Sequence, residues 1–151
     1  MKRSQRLEKV RQMAEDAEKR LAEAVAACER QLAESEARLA ELRAYQDSYA
    51  RDFRVRAGSG MDAVELRDYQ LFLARLDEAI RQQSLIVARN RATRDVQRRD
   101  WQAAAQRAEA VGQIVRRWQA EEQRLLDRLE QIETDERAQR AWARQAQAHG
   151  A

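Results

Sequence analysis

Apolar positions step by three and four residues along most of this chain. From the N-terminal side they read Leu7, Val10, Ala14, Ala17, Leu21, Ala24 and Cys28, then Leu32, Leu39, Leu42, Tyr49 and Phe53. This is a heptad seam, the repeat that lets two helices wind around each other left-handedly. The two successive four-residue steps at Ala24, Cys28 and Leu32 predict a local stutter, spanned by Val25, at which the coil unwinds. A second run opens at Leu66 and continues through Tyr69, Leu73, Leu76, Ile80, Gln83, Val87, Asn90, Arg94, Gln97, Trp101, Ala104, Ala108, Val111, Val115, Trp118, Glu122, Leu125, Leu129 and Ile132. Its polar members weaken a seam but fix its register.

Between the runs stands Gly58-Ser59-Gly60, two of the four glycines in a chain without proline. Asp62-Ala-Val-Glu65 reads as a capping box opening a second helix. The pattern predicts an all-α protein, a two-helix antiparallel coiled-coil hairpin with the second helix longer than the first. Helix one is expected over about residues 3–57, the tip over 58–61 and helix two over about 62–142, with a short C-terminal tail, all in one domain spanning 1–151. Folding back at Ser59 sets Cys28 near Asn90 and Leu7 near Val111. At about 1.5 Å per residue, helix two then overhangs its partner by roughly 30–45 Å. That overhang carries Trp118, Leu125, Leu126, Leu129 and Ile132, an apolar stripe on an unpaired helix, which calls for a partner or a second copy.

Composition supports a coil over an enclosed core. Charged residues make up 36% of 151 and aromatics only 5%, and a formal net charge of +3 from 29 basic and 26 acidic groups lets most charges balance locally. A paired-helix seam encloses no catalytic pocket. The single cysteine cannot form an internal disulfide, which suits a reducing compartment. No apolar run reaches the length needed to span a bilayer. MKRSQRLEKVRQ has a basic start but no apolar stretch after it, so a cytoplasmic location is expected.

Candidate chemistry is sparse. His149 is a terminal residue, and the carboxylates lie at helix salt-bridge spacings, so no enzyme activity, metal site or cofactor is expected. The glycine break lacks the Gly-Lys-Ser/Thr of a phosphate loop. The arginine-rich segment from Arg81 to Arg107 reads as a solvated face pairing with glutamates of helix one, not as a nucleic-acid surface. The distinctive cluster flanks the tip. Phe72 lies one position off the seam, level with Tyr45 on the facing helix, and Tyr49, Leu76 and Ala79 flank the same surface. Either these rings wrap and thicken the seam, or they form a partly exposed patch that docks a protein.

The tip residues also carry a family resemblance. Leu42-x-x-Tyr45-x-x-x-Tyr49 before the break, and Gly60-Met61, Leu66, Tyr69, Phe72-Leu73-x-x-Leu76-x-x-Ala79-Ile80-x-x-Gln83 after it, resemble the flagellar type III export stalk protein, the FliJ family. A weaker echo follows in Val87, Trp101 and Glu121-Glu122. The resemblance implies a non-enzymatic, rotary-shaft-like coiled coil whose paired termini enter the hexameric flagellar export ATPase. It further implies contact with the cytoplasmic part of the export-gate membrane protein and with export chaperones, at the cytoplasmic side of the inner membrane. By the same likeness Leu42, Tyr45, Tyr49, Phe72, Leu76, Ala79 and Gln83 would meet the gate, with histidine standing for Gln83 in some relatives. Leu7, Val10, Trp118, Leu125 and Leu129 would meet the ATPase ring. Without the resemblance, the residues also fit a generic self-associating coiled-coil scaffold.

Overall fold

The computed structural model describes residues 2–150 and holds two helices, α1 (Arg3–Ser59) and α2 (Ala63–His149), with no strand among the described residues. At 57 and 87 residues they form the expected all-α hairpin with the longer arm second.

The turn is shorter and later than the glycine pair suggested. α1 continues through Gly58 and Ser59, whose hydroxyl donates to the Arg56 carbonyl at 3.1 Å. Gly60 follows with φ +96°, the left-handed cap that a side chain would strain. Asp62 then caps α2: its carboxylate accepts the Glu65 backbone N–H at 2.8 Å and its carbonyl accepts that of Leu66 at 3.1 Å. At the far end, residues 143–149, expected as a tail, are helical. Ala, Arg and Gln dominate Ala143–His149, and no proline or glycine intervenes before Gly150.

The α1 seam has no stutter. Ser4, Leu7, Arg11, Ala14, Glu18, Leu21, Val25, Cys28, Leu32, Ser35, Leu39, Leu42, Gln46, Tyr49 and Phe53 are all buried or half-buried, in unbroken three-and-four steps. Polar side chains fill five of these layers, Ser4, Arg11, Glu18, Ser35 and Gln46. Val10, assigned to the seam by its apolar side chain, is 46% exposed, and the half-buried Arg11 takes its layer, paired with Glu8 and Glu15. On α2 the expected heptad holds from Tyr69 to Glu122, each position buried or half-buried.

The chain divides into two compact units. The first, Ala17–Ala104, contains the turn. Its core is Leu32, Leu39 and Val87, with Ile80 packed against them. Within that seam Gln83 is 8% exposed, and its amide donates to the Ser35 carbonyl at 3.0 Å. The Ser35 hydroxyl is satisfied by the Leu32 carbonyl at 2.8 Å. Burying a polar pair costs less when both are bonded, and a pair of this kind fixes register. Arg91 meets Glu36 at 3.2 Å and Arg98 meets Glu29 at 3.0 Å, pairs between exposed side chains that add little stability.

The second unit comprises the residues up to Asp16 together with Ala105 onward. Val115, 2% exposed, is its most buried side chain. Here α1 closes on α2 through its first turn. The Ser4 hydroxyl and backbone N–H donate to the two Glu122 oxygens at 2.5 and 3.3 Å, and the Arg3 guanidinium lies 3.9 Å over the Trp118 ring while pairing with Glu121 at 3.2 Å. The start of α1 is therefore level with residues 118–122 of α2, whereas folding back at Ser59 would set Ser4 near Ile114. The turn falling after Ser59 contributes to that displacement. Trp118 belongs to the paired segment. From Gln123 to Gly150 every residue is exposed.

Two expectations follow. Hydrogen exchange in the monomer should be slow at Val115 and become fast just beyond Glu122, because helix without a packed face depends on propensity alone. Slow exchange at Leu129 in a chain shown to be monomeric would contradict this. The Ser4 hydroxyl, then the Ser4 backbone N–H with Lys2 and Arg3, hold the Glu122 carboxyl below its ordinary range against a smaller opposing effect of burial. A folded pKa below the unfolded one means the clasp contributes fully above the unfolded glutamate value of about 4.3 and is lost as pH falls through the folded value. The Ser4 amide resonance should shift with a midpoint below that range, and Glu122→Gln should abolish the shift. A midpoint at the ordinary value would show that the clasp does not form.

Candidate functional site

The richest cluster of side chains on the molecule is at the tip, and helical spacing builds it. Tyr45, Tyr49 and Phe53 are four residues apart on α1, so their rings follow one another along one stripe. Tyr69 and Phe72, three apart on α2, face that stripe. Tyr69 is enclosed between two α1 rings, 4.1 Å from Phe53 and 4.9 Å from Tyr49 by centroids, both stacked. It is 8% exposed, and its hydroxyl donates to the Tyr49 carbonyl at 2.9 Å. Burial, the largest effect, raises the Tyr69 phenol above its ordinary value.

Moving outward, Phe72 lies 4.3 Å from Tyr49 and meets Tyr45 edge-on at 6.1 Å. Tyr45 is 6.2 Å from Tyr49 and 54% exposed. The cluster thus grades from a closed stack at Phe53, Tyr49 and Tyr69 to an open edge at Phe72 and Tyr45. The closed end thickens the seam, and the open end is a partly exposed aromatic patch. An open groove beside them is bounded by Tyr49, Met61, Tyr69 and Phe72, with Arg56, Glu65, Asp68 and Arg75 along its rim. Aromatic faces with mixed charge around them are a composition common at protein interfaces.

The other proposed members fall in different places. Leu42 and Ala79 are half-buried, whereas Leu76 at 7% and Gln83 at 8% exposure face the seam. Those two support the surface without forming it. Phe53 and Tyr69 were legible as seam residues but not as part of this ring cluster; the four-residue spacing of Tyr45, Tyr49 and Phe53 was the available signal.

A second surface lies on α2 past Glu122. Leu125 and Leu129 are 56% and 54% exposed, and Leu126 and Ile132 are 44% and 49% exposed. Leu7 and Trp118, expected with them, are half-buried at the clasp. Among the described residues no group of His, Cys, Asp and Glu could hold a metal ion, and no helix is long and apolar enough to cross a membrane.

The family model described as "Flagellar FliJ protein" matches residues 2–147. No curated protein and no solved structure matches the chain.

Proposed function

The chain belongs to the flagellar FliJ family, a component of the flagellar export apparatus, and from that premise we propose that it is a non-enzymatic stalk joining the export ATPase to the export gate. The end of α2 beyond Glu122 enters the hexameric ATPase ring, with the clasp and its neighbours Leu7, Val10 and Trp118 at the ring's mouth. The tip rings dock on the cytoplasmic part of the gate membrane protein, with Tyr45 and Phe72 as anchors, Leu42, Tyr49 and Ala79 beside them, and Leu76 and Gln83 holding the helices in register beneath. The protein works in the cytoplasm, peripherally at the inner membrane, where it also meets export chaperones.

The observation that carries this reading is the exposed stripe Leu125, Leu126, Leu129 and Ile132 on the part of α2 beyond Glu122, where no face is packed. Four large apolar side chains in two turns are costly to leave in water, at roughly 25 cal/mol per Å² of apolar surface. A ring that surrounds the helix covers them from all sides. The test is co-sedimentation of the full chain with the cognate export ATPase and, separately, with the gate's cytoplasmic domain. Binding to both supports the stalk. Binding to neither, by a folded chain, removes it and leaves the self-associating scaffold.

A further inference from the structure

The same end of α2 has a charge pattern that an apolar stripe does not need. From Leu129 to Glu136 there are four acids, Glu130, Glu133, Asp135 and Glu136, and no base. From Arg137 to Gly150 there are three arginines, Arg137, Arg140 and Arg144, and no acid. Every one of these residues is exposed. Among the described residues their ion pairs lie within the helix, Glu133 with Arg137 at 3.7 Å and Glu136 with Arg140 at 3.8 Å, between side chains 61–74% exposed. Such pairs are weak and exchange readily with other partners.

We propose that this segment pairs with the same segment of a second copy, antiparallel, about a two-fold axis between Glu136 and Arg137. A two-fold contact must be self-complementary, each residue meeting its counterpart twice. This segment meets that condition. About that axis Glu136 comes level with Arg137 of the second copy and Glu133 with Arg140, and Glu130 comes within one residue of Arg144. Turning the second copy parallel would instead lay acid on acid and arginine on arginine, which is unfavourable. The charge blocks therefore select both the occupant and its direction. The apolar stripe supplies the attraction. The pairing covers Leu129 and Ile132, so a paired stalk cannot also present them to a ring. The proposal rests on exposure and charge order and stands apart from whether the ring binds.

Sedimentation velocity over a range of concentrations tests it on the full chain. The native protein should show a concentration-dependent dimer that weakens as salt screens the exposed charges. Arg137→Glu with Arg140→Glu and Arg144→Glu should raise the dimer dissociation constant at least about tenfold, the order expected from several lost exposed charge pairs and the repulsion that replaces them. Mixing that variant one-to-one with Glu130→Lys, Glu133→Lys, Glu136→Lys should restore dimers. Direction is read by cross-linking in a Cys28→Ser background: Glu133→Cys and Arg140→Cys chains should link to each other and neither to itself. A native chain that stays monomeric, a dimer indifferent to the arginine reversals, or self-linking of Glu133→Cys would overturn the proposal. Circular dichroism of each variant confirms that the hairpin remains folded.

Discussion

Tyr69→Ala is expected to destabilise the hairpin by about 3–5 kcal/mol, the range for truncating a buried aromatic. Tyr69 joins the two helices at the tip more than any other side chain. It is stacked on Phe53 and Tyr49 at 4.1 and 4.9 Å, is 8% exposed, and ties its hydroxyl to the Tyr49 carbonyl. Removing the ring leaves a gap between α1 rings that cannot close, because Tyr49 and Phe53 are held by their own helix. At this chain length the loss corresponds to a fall in melting temperature on the order of 10 °C. Tyr69→Phe keeps the stack and loses only the hydroxyl bond, so it should cost about 1 kcal/mol. A thermal melt of the two variants separates the contributions. If Tyr69→Ala melts with the native protein, the tip stack is not what holds the arms together.

Tyr45→Ala is expected to behave in the opposite way. Tyr45 is 54% exposed, and its ring contacts are at 6.1 and 6.2 Å. The melt should move by no more than an exposed substitution does, about 0.5 kcal/mol. Gate binding should weaken by about 2 kcal/mol or more, roughly thirtyfold, because central aromatic anchors carry much of an interface's energy. Phe72→Ala falls between: it is half-buried and packs on Tyr49 at 4.3 Å, so it should lower both the melt and the binding. Calorimetric titration of each variant into the gate's cytoplasmic domain, beside its melt, checks the order. A Tyr45→Ala chain that binds as the native one does would show that the open edge of the cluster is not the docking surface.

The contrast between the arms shows what a sequence can and cannot disclose. On α2, leucine, isoleucine, valine and aromatic residues recur often enough that even Asn90, Arg94 and Gln97 could be placed at seam positions from their spacing, and they are half-buried there. On α1, Arg11, Glu18, Ser35 and Gln46 occupy seam layers while alanines stand nearby at the wrong phase. An apolar-only reading therefore follows Ala17 and Ala24, half-buried beside Glu18 and Val25, and meets a stutter at Ala24, Cys28 and Leu32. Polar residues on a seam with few large apolar neighbours are harder to place: the Ser35 hydroxyl is satisfied within α1 by the Leu32 carbonyl, and the Ser35 carbonyl takes the Gln83 amide only when the register is right. Register in turn depends on where the chain reverses. The two glycines marked the turn, but only backbone geometry shows that Gly60, with its positive φ, is the cap and that Gly58 is still helix. The candidate surface divides in the same way. Tyr45, Tyr49 and Phe72 could be grouped from helical spacing. Leu76 and Gln83 were already on the heptad seam, and their burial agrees with that spacing more than with the surface that the resemblance assigned them.

The stalk reading assigns two partners to two separate surfaces, and crossing the variants tests that assignment most directly. The native chain, Tyr45→Ala and Leu129→Asp are each titrated against the gate's cytoplasmic domain and against the export ATPase. Leu129 is 54% exposed on α2 beyond the clasp, so the aspartate is tolerated by the fold. The account predicts that Tyr45→Ala loses the gate and keeps the ATPase, and that Leu129→Asp loses the ATPase and keeps the gate. Loss of both partners from either folded variant, or of neither from both, would contradict it.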